Sequence, residues 1–170
     1  MPELPEVETV KQILQKQVTN KTIQKIKIYY SGVLENTDVN SFVNSLVGQT
    51  ICDVKRYGKY LFFILEKYTI VSHLRMEGKF FIKDAHEDVS THEHIIFFFT
   101  DGTTLRYHDT RKFGKMALLE TTSIEEIMKY PSLKKLGLEA NDPTLTKEYL
   151  FQKIKNKNIP IKTVLLDQTV

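Results

Sequence analysis

Short β-type segments follow one another through the middle of the chain, and their close spacing restricts the fold more than any other feature. They are residues 50–56, 60–65, 69–74, 79–83, 94–99, 103–107 and 116–119. Asp101-Gly102 separates two of these segments and is a strong hairpin signal, while Gly58, Gly78 and Gly114 mark further turns. Many short strands at this spacing predict an antiparallel sandwich or barrel.

Helical patterns flank the β region on both sides. Before it, apolar residues recur at helical spacing after Pro5, whose missing N–H suits a first turn, and the helix is expected to end at Asn20. A strand pattern at residues 22–30 and a short helix at 39–46 follow. Past Glu120, residues 123–129 and 146–155 are again helical in pattern. The sequence therefore predicts an α+β fold that is mostly β, with a helix at its N-terminal side and further helices at its C-terminal end.

Composition excludes several classes of protein. Hydrophobic residues make up 41% of the 170-residue chain, which is enough for a core, but no apolar run approaches the roughly 18 residues of a membrane span. The acidic start lacks the apolar stretch of a signal peptide, and the single Cys52 cannot form an internal disulfide, so a cytoplasmic location is expected. No cysteine or histidine pair has zinc-site spacing, so no metal is expected in this chain.

Positive charge is concentrated in two stretches, although the net charge is only +3. Residues 106–115 hold four cations against one carboxylate, and residues 147–170 hold five lysines against two carboxylates. Such stretches are either solvated faces of a slightly basic protein or surfaces that neutralise nucleic-acid phosphates. Charge by itself leaves both interpretations open.

The N-terminus is a possible catalytic group. Removal of the initiator methionine before the small residue Pro2 would leave a secondary amine, with a pKa of about 8 for an α-amine. Its neutral form can attack an aldehyde-type carbon and form an iminium. Glu3 could move protons at that carbon, with Glu6 supporting the site one turn along the helix. The alternative is that proline and glutamate serve only to start a helix.

Several segments, in this order along the chain, resemble the formamidopyrimidine-DNA glycosylase family. MPELPEVETV resembles that family's N-terminus, and the others resemble its lysine loop, its His-to-Met segment, its Arg-x-Phe loop and the entry to its second domain. These others are Gly58-Lys59-Tyr60-Leu61, Ser72-His73-Leu74-Arg75-Met76-Glu77-Gly78, Asp109-Thr110-Arg111-Lys112-Phe113-Gly114, Leu136-Gly137-Leu138-Glu139 and the segment 161–167. The resemblance extends over essentially all of the chain.

The resemblance assigns roles position by position. It implies that Pro2 is the Schiff-base nucleophile, that Glu3 is the general acid that helps to open the deoxyribose, and that Lys59 contacts phosphate at the lesion and takes part in elimination. It implies a second set of residues that contact the DNA backbone, namely His73, His92, Arg111, Lys157 and Lys162. A third set would fill and probe the duplex where the damaged base leaves it, namely Met76, Arg111 and Phe113.

The resemblance also implies a domain plan. Residues 1–130 would form a catalytic two-layer antiparallel β-sandwich flanked by the N-terminal helix. Residues 131–170 would be a linker and the truncated start of a helix–two-turn–helix domain. Family members continue through that domain to a zinc finger with four cysteines. The chain is therefore expected to be a fragment that binds DNA weakly and holds no zinc itself.

The implied activity is base-excision repair by a bifunctional glycosylase and abasic-site lyase. It would remove oxidised purines such as 8-oxoguanine and formamidopyrimidines and cut the strand by β,δ-elimination, without a cofactor. The implied partner is double-stranded DNA with oxidised purines or abasic sites, bound by a monomer with no membrane partner. Three alternatives remain: an endonuclease VIII-type enzyme for oxidised pyrimidines, an inactive DNA-binding fragment, and a β-sandwich with an unrelated binding role.

Each candidate residue also has a purely structural interpretation. His73 follows a β segment and could be a hydrogen-bonded core histidine, and Met76 could fill the core. Phe113 could be a turn aromatic, and His92 and His94 could face solvent from a strand. Lys157 and Lys162 could belong to a solvated helix face. Only the resemblance favours function over these alternatives.

Overall fold

The computed structural model describes residues 1–170. They divide into two compact units, residues 1–123 and 124–170, and each is described by itself. The sequence placed a domain boundary between residues 130 and 131, and that division stays a prediction.

Eight strands in the first unit form two four-stranded antiparallel sheets. The strands are β1 (Ile23–Ile28), β2 (Ile51–Tyr57), β3 (Tyr60–Leu65), β4 (Thr69–His73), β5 (Lys79–Asp84), β6 (Glu93–Phe99), β7 (Thr103–His108) and β8 (Lys115–Leu119). The strand order is β1-β6-β7-β5 in one sheet and β2-β3-β4-β8 in the other. The predicted α+β fold with a two-layer antiparallel β-sandwich is confirmed, and the barrel alternative is wrong.

The core lies between the two sheets. Its fully buried side chains come from inward positions of both sheets, such as Phe63 and Ile70 on one sheet and Phe97 and Leu105 on the other. These four side chains line the same small internal space, so they face one another across the sandwich. Burial of this apolar surface is the main favourable term in folding.

Helix α1 (Leu4–Val18) packs on strand β2 through one apolar stripe. Val7, Leu14 and Val18 recur at helical spacing and are the buried residues of the helix. Two polar contacts attach the helix to β2: Arg56 Nε donates to Glu8 Oε2 at 2.6 Å, and Gln15 Nε2 donates to Asp53 Oδ1 at 2.7 Å. The N-terminus of the chain is therefore held beside the end of β2. A 3₁₀ turn (Ser31–Val33) and helix α2 (Val39–Leu46) complete this unit.

An ionic cluster is buried in the sheet β1-β6-β7-β5. Arg106 of β7 and Glu93 of β6 are each only 1% exposed, and they form a salt bridge at 3.0 Å. The other hydrogen bonds of the Arg106 guanidinium go to Thr104 Oγ1 and to the carbonyls of Asp84, Glu87 and Asp88. Arg106 thereby fixes the connection between β5 and β6, because three carbonyls of that connection bond to one side chain.

The second unit contains four helices, α3 (Ile124–Ile127), α4 (Pro131–Lys134), α5 (Lys147–Ile154) and α6 (Ile161–Leu166). The helix predicted at 123–129 is shorter than expected. Tyr130 has φ −59° and ψ 135°, because a residue before proline is kept out of the helical region. In α6, Val164 is buried, while Leu165 and Leu166 are exposed. No helix combines the length and the apolar character needed to cross a membrane.

Candidate functional site

The first residues of the chain lead directly into helix α1. Glu3 is the N-cap residue, and its backbone N–H donates to Glu6 Oε2 at 2.7 Å. A carboxylate in the first turn satisfies an N–H that has no partner within the helix and interacts favourably with the positive end of the helix dipole. The purely structural interpretation of Glu6 is therefore supported, since this carboxylate holds the N-terminal segment in place.

Lys59 reaches the N-terminus from the hairpin between β2 and β3. Gly58 has φ +54°, a left-handed conformation that suits glycine, and it makes this tight turn possible. The Lys59 ammonium lies 2.7 Å from Glu3 Oε2, and its side chain is only 12% exposed. The hydrogen bond from Lys59 and its positive charge lower the pKa of Glu3 below its usual range. Glu3 is therefore an ionised carboxylate at neutral pH.

His73 is buried at the end of β4, with 6% of its surface exposed. Its Nδ1 accepts a hydrogen bond from the Arg75 amide at 2.9 Å, and its ring packs edge-on against Tyr60 at 4.5 Å between centroids. Burial, with smaller effects from the charges of Arg75 and Lys59, lowers its pKa to about 4. The neutral ring therefore carries its proton on Nε2, which leaves a donor on that side.

This depressed pKa predicts a pH-dependent stability. Between its pKa values in the two states, His73 binds a proton in the unfolded chain but not in the folded chain. The free energy of unfolding is therefore highest above the pKa that His73 has in the unfolded chain, and it declines as the pH falls towards 4. We expect His73 to contribute about 2 kcal/mol of stability loss between pH 7 and pH 5. Urea unfolding at both pH values measures it. His73→Asn, which keeps an acceptor near Nδ1, should reduce the loss, whereas His86→Asn at an exposed position should not. Equal losses in the wild type and His73→Asn would contradict the assignment.

Pro2 and Met76 line the same open cleft, together with Glu6. Met76 belongs to a turn of residues 74–78, the Met76 turn, which is closed by a hydrogen bond of 2.9 Å from the Gly78 amide to the Leu74 carbonyl. Arg75 has φ +54° in this turn. Met76 is 42% exposed rather than packed in the core, so the interpretation of this residue as core filler is wrong.

Arg111 and Phe113 lie on a loop of residues 109–114, the Arg111 loop, which follows β7. Phe113 is 49% exposed, and the Arg111 guanidinium lies 4.9 Å from its ring centroid. Asp109 at the start of the loop is fully buried. Its carboxylate accepts hydrogen bonds from the Arg111, Lys112 and Gly114 amides. These hydrogen bonds hold the Arg111 loop in a defined shape, in which the side chain of Phe113 is exposed.

The two histidines before and in β6 have different environments. His92 is half-buried, and its carbonyl accepts from the Asp109 amide at 3.0 Å, which places it beside the Arg111 loop. His94 is buried, and its Nε2 lies 2.7 Å from the Asp109 carbonyl. The interpretation of His94 as solvent-facing is wrong, because the ring bonds to the same loop from inside.

Two predicted DNA contacts lie in the second unit. Lys157 pairs with Asp167 at 2.5 Å, and Lys162 is exposed in α6.

The sequence pattern did not single out Tyr107 and Asp109, two buried residues beneath the Arg111 loop. The available signal was the acid Asp109, which comes just after the predicted strand 103–107 and begins a segment that ends at Gly114.

A zinc ion does not fit the residues of this chain. Cys52 is a single exposed thiol. No group of three or more histidine, cysteine, aspartate or glutamate side chains is placed to hold a metal.

Comparison with known proteins relates this chain to a family of DNA glycosylases. The family profile described as formamidopyrimidine-DNA glycosylase N-terminal domain matches residues 1–116. A formamidopyrimidine-DNA glycosylase from Exiguobacterium sibiricum is 45% identical over 171 residues, which cover 100% of this chain and 61% of the relative. One from Bacillus cereus is 46% identical over 169 residues, covering 99% and 60%. The chain thus spans about three fifths of the length of these curated relatives.

Solved structures give the same relationship. The Lactococcus lactis enzyme in complex with DNA containing N7-benzyl-Fapy-dG superposes with a TM-score of 0.89 at 33% identity, covering 99% of this chain and 61% of the other. The same enzyme with DNA containing an abasic site also has a TM-score of 0.89, at 32% identity and with the same coverage of both chains. The family profile, the curated relatives and the solved structures agree, and this chain belongs to the formamidopyrimidine-DNA glycosylase family.

Proposed function

We propose that this chain carries the catalytic half of a bifunctional DNA glycosylase and abasic-site lyase that removes oxidised purines in base-excision repair. The observation that carries the proposal is the Lys59–Glu3 ion pair of 2.7 Å at the N-terminus, next to the cleft that Pro2 and Met76 line. Once Met1 is removed, the amine of Pro2 would join an ionised carboxylate and an ammonium group at this place. These are the groups that Schiff-base chemistry at a sugar carbon needs.

Catalysis would begin at the nitrogen of Pro2 once Met1 has been removed. The nitrogen forms a bond to the sugar C1′ while the bond from C1′ to the base breaks, and the bonding electrons leave with the base, which takes up a proton from solvent water. Glu3 is ionised before the reaction, so it first accepts the proton that the Pro2 nitrogen loses. Glu3 then donates this proton to the ring oxygen as the deoxyribose opens and the iminium forms.

Strand cleavage would follow from the same intermediate. The iminium makes the 2′ hydrogens acidic, so loss of one proton expels the 3′ phosphate, and a second elimination expels the 5′ phosphate. Lys59 has three donors; one is directed at Glu3, and the others can bind a phosphate at the lesion. Hydrolysis of the remaining imine releases the enzyme. No cofactor is required for these steps.

Side chains of the Met76 turn, the Arg111 loop and several basic residues would contact the DNA. A glycosylase must extrude the damaged nucleotide, at a cost of a few kcal/mol, and apolar wedges can occupy the vacated space. Met76 and Phe113 are exposed apolar residues on loops with defined shapes, and Arg111 beside Phe113 can donate to the unpaired partner base. His73, His92, Lys157 and Lys162 would contact phosphates, which gives salt-dependent affinity without sequence preference.

Borohydride trapping on a duplex with one abasic site tests the proposal. The expected result is a covalent adduct, detected by intact mass, whose DNA is attached to Pro2 in the peptide map. The fraction of protein that lacks Met1 is read from the same spectrum. Absence of any adduct from protein that lacks Met1, together with retained duplex binding, would instead support a non-catalytic DNA-binding fragment.

Oxidised pyrimidines are a second candidate class of substrate. The Lactococcus lactis relative has also been solved with DNA containing an oxidised pyrimidine, at a TM-score of 0.90 and 33% identity. Strand-cleavage assays distinguish a preference for purine lesions from a preference for pyrimidine lesions. The substrates are duplexes with 8-oxoguanine, a formamidopyrimidine or an oxidised pyrimidine. Faster cleavage at the purine lesions is expected. The reverse order would support the endonuclease VIII-type alternative, which acts on oxidised pyrimidines.

A further inference from the structure

Two buried polar side chains, Tyr107 and Asp109, lie beneath the loops that carry the exposed residues of the site. Both are fully buried, and the Tyr107 hydroxyl donates to Asp109 Oδ2 at 2.9 Å. Burial, followed by the hydrogen bond and the charge of Asp109, raises the pKa of Tyr107. The hydroxyl is therefore a permanent donor across the physiological pH range.

Asp109 fixes the backbone of the Arg111 loop. Its Oδ1 accepts from the amides of Arg111 and Lys112, each at 3.0 Å, and its Oδ2 accepts from the Gly114 amide at 2.8 Å. Hydrogen bonds to an ionised acceptor are stronger than those between neutral groups. One buried side chain thus sets the path of the loop from Arg111 to its end.

The Tyr107 hydroxyl also lies against the Met76 turn. A Cβ atom built on Gly78 would come within 2.7 Å of this oxygen, and one built on Gly114 would come within 1.7 Å. The hydroxyl is thus packed against the backbone of both glycines. Since Gly78 closes the Met76 turn and Gly114 closes the Arg111 loop, one oxygen atom lies between the two loops.

We propose that Tyr107 and Asp109 are positioning residues that hold the Met76 turn and the Arg111 loop in one fixed relation, so that Met76, Arg111 and Phe113 enter duplex DNA as a unit. The functional part of this inference rests on the proposed function, because it needs these three side chains to probe DNA. The structural part, which is the coupling of the two loops through the Tyr107 hydroxyl, does not depend on the proposed function.

Hydrogen exchange of backbone amides tests the structural part without DNA. In Tyr107→Phe, the amides of both Gly78 and Gly114 should exchange faster, by about fivefold, because a net hydrogen bond is worth roughly 1 kcal/mol. Asp109→Asn keeps an acceptor for the loop amides but replaces the oxygen that Tyr107 and Gly114 need. It should have the same effect on both glycines. Tyr68→Phe, which removes a hydroxyl from a half-buried tyrosine between β3 and β4, should leave both amides unchanged. A change confined to Gly114 would overturn the coupling.

Trapping on two kinds of abasic DNA tests the functional part. Single-stranded DNA needs no insertion into a duplex, so Tyr107→Phe should trap it within about twofold of the wild type, while trapping on duplex DNA should fall at least about tenfold. An equal loss on both substrates would overturn the positioning role. If the wild-type chain traps neither substrate, the proposed function is wrong, and so is the role of the two loops in DNA insertion. The hydrogen-exchange result would still decide whether Tyr107 couples the two loops.

Discussion

Protein that keeps Met1 is expected to show no covalent trapping on abasic DNA. With Met1 attached, the Pro2 nitrogen belongs to a peptide bond, and its lone pair is delocalised into the carbonyl. Such a nitrogen cannot attack C1′ or form an iminium. Because Glu3 and Lys59 remain paired at 2.7 Å in the chain with Met1 attached, loss of trapping would result from the nitrogen itself and not from a disordered site.

The comparison requires two samples that differ only at the N-terminus. One is expressed with methionine removal inhibited, and the other is the same preparation treated with methionine aminopeptidase. Intact mass after borohydride treatment should give an adduct only for the second sample, while duplex binding by fluorescence anisotropy should be similar for both. An adduct on the protein that retains Met1 would assign the nucleophile to another amine, with Lys59 the first to test.

Arg106→Met is expected to destabilise the fold by about 3–5 kcal/mol, as when one partner of a buried ion pair is removed. Glu93 would keep its salt bridge to Lys83 at 2.5 Å but would lose the one buried cation that faces it. The carbonyls of Asp84, Glu87 and Asp88 would also lose the donors that Arg106 provides. Urea unfolding measures the change in the free energy of unfolding.

A matched exposed pair provides the control. Lys129→Met removes the salt bridge to Glu126, in which both side chains are exposed, and the change should stay within about 0.5 kcal/mol. The double variant Arg106→Met/Glu93→Gln should recover part of the loss, because it removes the uncompensated carboxylate. Equal effects of Arg106→Met and Lys129→Met would mean that the buried cluster contributes no more than a surface pair.

Local sequence patterns were sufficient for most of the secondary structure. Strand β3 and helix α2 have the predicted limits, residues 60–65 and 39–46, and the other strands differ from prediction only at their ends. Gly102 has φ +85°, as the hairpin signal at this position requires. These features depend on side-chain alternation and turn chemistry over a few residues, which a sequence displays directly.

The burial of individual side chains was predicted less well than the secondary structure. His94 is buried, yet nothing in its immediate sequence distinguishes it from His92, which is half-buried. Met76 has the composition of a core residue, yet its side chain is exposed. Burial is decided by which surfaces meet across the sandwich, and short-range periodicity does not contain that information.

The sequence by itself therefore determined the two kinds of element, the turns between them and, through its segments in order, the family. The tertiary structure alone decided which distant groups meet. Pairing of β1 with β6 and of β4 with β8 joins segments far apart in the chain. The same folding brings Lys59 to Glu3 and the Tyr107 hydroxyl between Gly78 and Gly114. Such contacts arise from the packing of two complete sheets, so no local stretch of the chain specifies them.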